Sequence, residues 1–106
     1  MDSLRGKTLR WTFTDGPGAG TVYEHTCHED GSVVWRVVEG PGKGHSAQEK
    51  RYAAMQVSEH VQALSYLAIS GYTLTVALNH ETGRVIGFAS NDKEWYPLTG
   101  TFEAVQ

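Results

Sequence analysis

Apolar and polar residues alternate along most of this chain, and the alternation predicts strands rather than helices. Between Lys7 and Phe13, the side chains of Leu9, Trp11 and Phe13 share one face, and threonine and arginine occupy the other. Because successive side chains of a strand point to opposite faces, this pattern indicates a half-buried strand. Four further segments are predicted as strands: 21–27, 33–38, 84–90 and 95–105.

The most apolar stretch, Ala63–Asn79, predicts a hairpin that turns at Ser70-Gly71. A two-residue turn there would pair Leu67 with Leu74 and place both on one apolar face. Strand side chains repeat every two residues, so a shift of one residue in the pairing would exchange the two faces of the hairpin.

The segment 45–57 allows two interpretations. Ser46 and Glu49 have the spacing of a helix capping box, whereas Arg51–Val57 also alternates as a strand would. We predict a strand, because all neighbouring segments are strands and local propensity is a weak guide.

About eight short strands in one chain predict a single all-β domain over residues 1–106, an antiparallel meander closed into a small barrel. Closure removes the exposed edges that an open sheet would carry. The interior of an eight-stranded barrel is either filled by side chains or just able to hold one small ligand. Which of these applies decides the function.

Composition narrows the possible partners. The 106 residues carry a net charge of −3 and no run of basic residues, which argues against nucleic acid. No apolar stretch approaches the roughly 20 residues that a spanning helix needs, and the start has no signal-peptide pattern, so we expect a cytoplasmic protein with no membrane partner. Cys27 is the single cysteine, so an internal disulfide is impossible.

Aromatic side chains supply the candidate ligand site. Core packing would explain most of them, but they could also wall a cavity. The rings concerned are Trp11, Phe13, Tyr23, Trp35 and Tyr66.

Several polar residues could orient a ligand in such a cavity: Tyr23, His25, Arg36 and His45. An inward Arg36 would need an anionic partner, either the ligand or a carboxylate such as Glu24 or Glu49. An outward, solvated Arg36 is the alternative.

Other chemistries find little support in the sequence. His25, Cys27 and His28 are close in sequence, but on a strand His28 would point to the face opposite His25 and Cys27. A closed zinc site needs four converging ligands, so we predict no metal site and no cofactor. The glycine loops GPGAG and GPGKG lack the phosphate-loop spacing and are interpreted as turns. No Gly-x-Ser-x-Gly nucleophile motif is present.

The order of glycines and aromatic residues over 6–103 resembles the calycin-like superfamily of phenolic acid decarboxylases and MoaF-like proteins. The resemblance rests on Gly6, Trp11-Thr12-Phe13, Tyr23-Glu24, Gly31, Trp35-Arg36, Gly40, Gly71, Gly83 and Gly87-Phe88. It implies a small antiparallel barrel with a central cavity, a homodimeric assembly and, for the decarboxylase branch, no metal or organic cofactor.

The decarboxylases orient their substrate with three tyrosines and an arginine–glutamate pair, and the resemblance maps these groups onto this chain. The two first-strand tyrosines fall on Trp11 and Phe13, and the third matches Tyr23. The arginine falls near His45 and the glutamate near Ala68, so one of the five groups is kept.

This mapping conflicts with the predicted hairpin. A cavity-facing Ala68 would turn Leu67 outward, opposite to the face predicted from alternation. Either a bulge changes the parity of the strand, or a second subunit covers an apolar outer face.

Three functions remain open. The first is a MoaF-like barrel that binds a small aromatic or apolar organic molecule. The second is a cofactor-independent lyase or isomerase related to the decarboxylases, in which Tyr23 orients the substrate and His45 is the general acid or base. The third is a packed barrel that serves as an interaction module. Predicted ligand-binding residues are Trp11, Phe13, His25, Trp35, Arg36 and Tyr66.

Overall fold

The computed structural model describes residues 4–16 and 19–105, and this part of the chain forms nine strands and no helix. The strands are β1 (Thr8–Phe13), β2 (Val22–Cys27), β3 (Val33–Glu39), β4 (Ser46–Glu49), β5 (Tyr52–Gln56), β6 (Val61–Leu67), β7 (Thr73–Asn79), β8 (Arg84–Ser90) and β9 (Trp95–Ala104).

All nine strands belong to one antiparallel sheet in the order β4-β3-β2-β1-β9-β8-β7-β6-β5. Because β1 pairs with both β2 and β9, the first and last strands join and the meander rolls into a nearly closed barrel. The predicted all-β barrel is confirmed. The strand interpretation of 45–57 is also correct, although that segment is divided into two strands.

Strands β4 and β5 are the two halves of one bent strand. β4 pairs with β3 and β5 pairs with β6, and the antiparallel order between them gives both halves the same direction. Lys50 and Arg51 form the bend. Beyond it, Tyr52 N donates a hydrogen bond to Gly31 O at 3.1 Å. If β4 and β5 are counted as one strand, the barrel wall has eight strands, as predicted.

The β6–β7 hairpin differs by one residue from the predicted register. Ala68 N donates to Tyr72 O at 2.8 Å, and Gly71 N donates to Ala68 O at 2.9 Å, so three residues rather than two form the loop. Gly71 adopts φ of 98°, a conformation that side chains with a Cβ rarely tolerate. As a result Tyr66 pairs with Leu74.

The extra loop residue decides which face of the hairpin lines the barrel. The predicted pairing of Leu67 with Leu74 is wrong, since Leu67 pairs with Thr73, points outward and is 74% exposed. Ala68 packs against the core instead. The three-residue loop therefore accounts for the parity conflict, because it changes which residues of β6 face the interior.

The barrel interior is filled at one end and wider at the other. The closed end carries segments 4–7, 28–32 and 80–83, and its interior is packed with aliphatic side chains that are almost fully buried: Leu4, Leu9, Val33, Leu78 and Val85. The open end carries the two glycine loops, the β6–β7 turn and the β8–β9 turn. Aromatic rings and small residues occupy its interior, and the candidate site lies there.

Close backbone contact between β9 and β1 makes Gly100 intolerant of a side chain. A Cβ on Gly100 would overlap the carbonyl oxygen of Thr12 and lie 2.9 Å from Phe13 Cα. We expect Gly100→Ala to lower the free energy of unfolding by about 1–3 kcal/mol, measured by urea denaturation, because backbone atoms cannot rotate away. Glu103→Ala, at an exposed position on the same strand, should change it by less than about 0.5 kcal/mol. Equal losses in the two variants would contradict this account.

Candidate functional site

The open end of the barrel contains a cavity of about 190 Å³. Its walls come from β2, β3, β6, β7, β8 and β9 and are mostly aromatic or aliphatic. The lining residues are Tyr23, His25, Trp35, Tyr66, Ala68, Tyr72, Leu74, Ala89 and Leu98. An apolar cavity of roughly 150 Å³ is known to accept benzene. This cavity therefore has room for one ring with a small substituent.

Small residues at inward positions create this space. Ala68 and Ala89 line the cavity, and Gly87 lies in the same part of the wall on β8. A Cβ on Gly87 would lie 2.6 Å from Val76 Cα, so the strands approach too closely there for any side chain. The third open alternative, a barrel whose interior is wholly filled by side chains, does not account for this space.

The polar centre of the cavity is a buried histidine–tyrosine pair. His25 Nε2 lies 2.9 Å from the Tyr66 hydroxyl, and the Trp11 ring stacks on the imidazole with centroids 3.9 Å apart. Burial lowers the pKa of His25 to about 3 and raises the pKa of Tyr66. Both groups are therefore neutral at physiological pH and share one hydrogen bond.

One nitrogen of this histidine is left without a partner. His25 Nδ1 is buried and has no hydrogen bond within the described chain, and the same is true of Trp11 Nε1. Buried polar atoms in folded proteins are almost always hydrogen-bonded. His25 itself lines the cavity, whereas its unpartnered Nδ1 is buried in the wall.

The aromatic residues singled out from the sequence do converge at this end. The ring of Tyr23 lies edge-on to Phe13 and to Trp35, with both centroid distances 5.9 Å. Burial raises the pKa of Tyr23. Trp11 and Phe13 are buried beside the cavity rather than among its lining residues.

Arg36 requires a correction, because its side chain lies on the outer face of β3. It is exposed, and its guanidinium donates to Glu24 Oε1 at 3.0 Å. Arg10 donates to Glu24 Oε2 at 2.8 Å. Hydrogen bonds from Arg10 and then Arg36 hold the pKa of Glu24 below its usual value. Arg36 therefore belongs to a surface ion-pair network, as the outward alternative stated, and does not line the cavity.

His45 also lies outside the cavity. It is exposed in the loop before β4, where its backbone N donates to Gly42 O at 2.9 Å. It is not among the residues that line the cavity. The position therefore does not support a general acid or base at His45.

Sequence reasoning missed the role of Glu49, for which it suggested only a helix cap or a partner for Arg36. Glu49 is 2% exposed. Its Oε2 accepts a hydrogen bond from Trp35 Nε1 at 2.9 Å, and its Oε1 accepts one from Ile69 N at 3.0 Å. The available signal was alternation, since Ala47 and Glu49 share the inward face of β4.

A larger groove of about 730 Å³ lies on the outside of the wall at the bend between β4 and β5. Its lining residues are Gln48, Glu49, Lys50, Arg51, Tyr52, Ala53, Ser65, Tyr66, Leu67, Ala68 and Ile69. Tyr66 and Ala68 line both the groove and the cavity. The two spaces are therefore neighbours across the wall.

Residues 4–16 and 19–105 contain neither a metal-ion cluster nor a membrane-spanning helix. No three His, Cys, Asp or Glu side chains are placed to hold a metal ion. That part of the chain also contains no helix of the length and apolarity needed to cross a membrane.

The buried His25 should make stability pH-dependent. Its pKa is about 3 in the folded protein and near 6.5 when unfolded, so only the unfolded state takes up this proton between those values. The free energy of unfolding should therefore fall with decreasing pH, by up to about 1.4 kcal/mol per unit below pH 6.5. His25→Gln should remove that part of the slope in urea denaturation from pH 7 to pH 4. His28→Gln, at an exposed position, should retain it, and identical slopes in the two variants would refute the assignment.

Comparison with known proteins agrees with this architecture. The crystal structure of a "putative beta-lactamase" from Burkholderia vietnamiensis is similar with a TM-score of 0.82, covering 98% of this chain and 97% of that chain. The two sequences are 18% identical, so this similarity shows the fold alone. No curated protein matches the sequence. The family model for MoaF-like proteins matches residues 6–103, and the chain belongs to the MoaF-like family.

Proposed function

We propose that this barrel binds one small, neutral, single-ring organic molecule in the cavity at its open end. The observation that carries the proposal is the cavity of about 190 Å³, walled by rings and containing a buried polar pair, His25 and Tyr66. Ligand sites in proteins commonly combine a mostly apolar wall with a few polar groups that fix orientation.

The charge of the wall favours a neutral ligand. No lysine or arginine is among the described residues that line the cavity, and the low pKa of His25 keeps its imidazole uncharged. A carboxylate brought into this space would lose water without gaining a counter-charge. The carboxylate of Glu49, bonded to the cavity-lining Trp35, would add repulsion. A hydroxyl or amide group can instead hydrogen-bond to the Tyr66 hydroxyl, which lies at the cavity wall.

Catalysis by a lyase or isomerase is less well supported than binding. Burial shifts the pKa values of Tyr23, Tyr66 and His25 on the cavity wall away from neutrality. The hydrogen bond from Tyr72 to Glu94 raises the pKa of Tyr72 to about 12. A general acid or base works best when its pKa lies near the working pH. The second proposed participant, His45, is exposed in a loop.

Ligand binding can be measured through the indole N–H signals of the three tryptophans by NMR. We expect benzyl alcohol to shift the Trp35 signal saturably. The dissociation constant should be on the order of 1 mM, because the affinity of a small ligand is limited by its number of non-hydrogen atoms. Benzoate should bind at least roughly tenfold more weakly because of its uncompensated charge. Trp95 is exposed and serves as an internal reference.

Two variants of equal added volume locate the binding site. Ala89→Leu would fill the cavity and should abolish the response to benzyl alcohol. Ala77→Leu adds the same atoms at a position whose neighbours, Ala63 and Ile86, lie on the outer face, and should leave binding unchanged. Equal responses in both variants, or no response to benzyl alcohol in the wild type, would refute the proposal.

The predicted homodimer remains a proposal, and the outer face of β8 and β9 offers apolar side chains for it. Ile86, Phe88 and Trp95 are 49%, 51% and 68% exposed. We expect sedimentation to give twice the 11.7 kDa monomer mass, and Phe88→Asp to return the monomer. A wild-type monomer at high concentration would contradict the prediction.

A further inference from the structure

The barrel wall has a gap where no backbone ladder closes it. β4 pairs with β3 on one side, and β5 covers β6 only as far as the Tyr52–Tyr66 pair. The chain beyond Tyr66, through Ala68 to Ile69, therefore lies beside β4 without a ladder between them. The outer groove is centred on this gap.

One side chain spans the gap. Glu49 extends from β4, accepts a hydrogen bond from Ile69 N in the β6–β7 loop at 3.0 Å and accepts another from Trp35 Nε1 at 2.9 Å. It is 2% exposed. The carboxylate thus replaces the missing backbone hydrogen bonds at this point in the wall.

Displacing this side chain would connect the cavity with the groove. Tyr66 and Ala68 already line both spaces, and Trp35, which Glu49 holds, lines the cavity. Rotation of Glu49 breaks two hydrogen bonds and moves no strand. Elsewhere in the wall, from β4 round to β5, entry would require several ladder hydrogen bonds to break together. Among routes through the side wall, the gap is therefore the one that breaks the fewest hydrogen bonds.

We propose that Glu49 is the gate of a side entrance to the cavity, separate from the mouth at the open end of the barrel, and determines how readily a ligand passes through the wall. The identity of the ligand rests on the function proposed above, whereas the opening motion can be tested without any ligand. A gate held by two hydrogen bonds opens locally, while the rest of the barrel stays folded.

Hydrogen exchange of the unliganded wild-type protein tests the opening. The Trp35 indole N–H and the Ile69 amide share one acceptor group, so both should exchange at a similar rate through the same opening. That rate should exceed the rate of the β6–β7 ladder amides at least tenfold. Exchange of both protons only at the rate of global unfolding would overturn the gate, whether or not the protein binds benzyl alcohol.

Binding kinetics test the entrance. With benzyl alcohol as the probe, Glu49→Gln should raise the association and dissociation rates about tenfold and change the dissociation constant less than threefold. Arg84→Gln, a change at an exposed position that lines neither the groove nor the cavity, should leave both rates unchanged. Unaltered rates in Glu49→Gln, with normal binding, would overturn the entrance while leaving the proposed function intact.

A second pair of variants tests the entrance even if the Glu49→Gln variant does not fold. Ala53→Phe places a ring in the groove and should slow association at least fivefold. Ala77→Phe places the same ring on the outer face away from the groove and should have no effect. Equal association rates in these two variants would show that ligands enter elsewhere.

Discussion

The placement of the cavity wall depends on a single backbone constraint, the three-residue loop closed by the hydrogen bond from Ala68 N to Tyr72 O. This loop sets the parity of β6, so Tyr66 and Ala68 face the interior while Leu67 faces solvent. A two-residue turn would reverse that assignment along the whole strand. The conformational freedom of Gly71, at φ of 98°, permits the longer loop.

With Tyr66 facing the interior, burial determines the protonation state of the polar side chains in the cavity. His25 comes to lie between the Trp11 ring and the Tyr66 hydroxyl, where it is almost fully shielded from solvent. The resulting low pKa keeps the imidazole neutral. Ala68, just beyond the end of β6, lines the cavity and contributes space instead of charge. The described residues that line the cavity therefore include no positively charged side chain.

The bend at Lys50 and Arg51 produces the gap in the wall at which we propose that ligands enter the cavity. It lets one strand pair with β3 through its first half and with β6 through its second, which closes the barrel with a local gap. Glu49 fills that gap with two hydrogen bonds. Whether a buried carboxylate is tolerated there depends on both donors being present, since an unpaired buried charge is very costly.

The sequence alone determined the all-β class and most strand boundaries, because a period of two and the turn residues are local properties of the chain. The order of its glycines and aromatic residues identified the family. The sequence did not determine the β6–β7 register, since the same amino-acid sequence can form a loop of two residues or of three. The outward position of Arg36, the exposed position of His45 and the role of Glu49 depend on contacts between strands that are distant in sequence. Only the tertiary structure decides these, because hydrogen-bond partners and burial arise when the barrel closes.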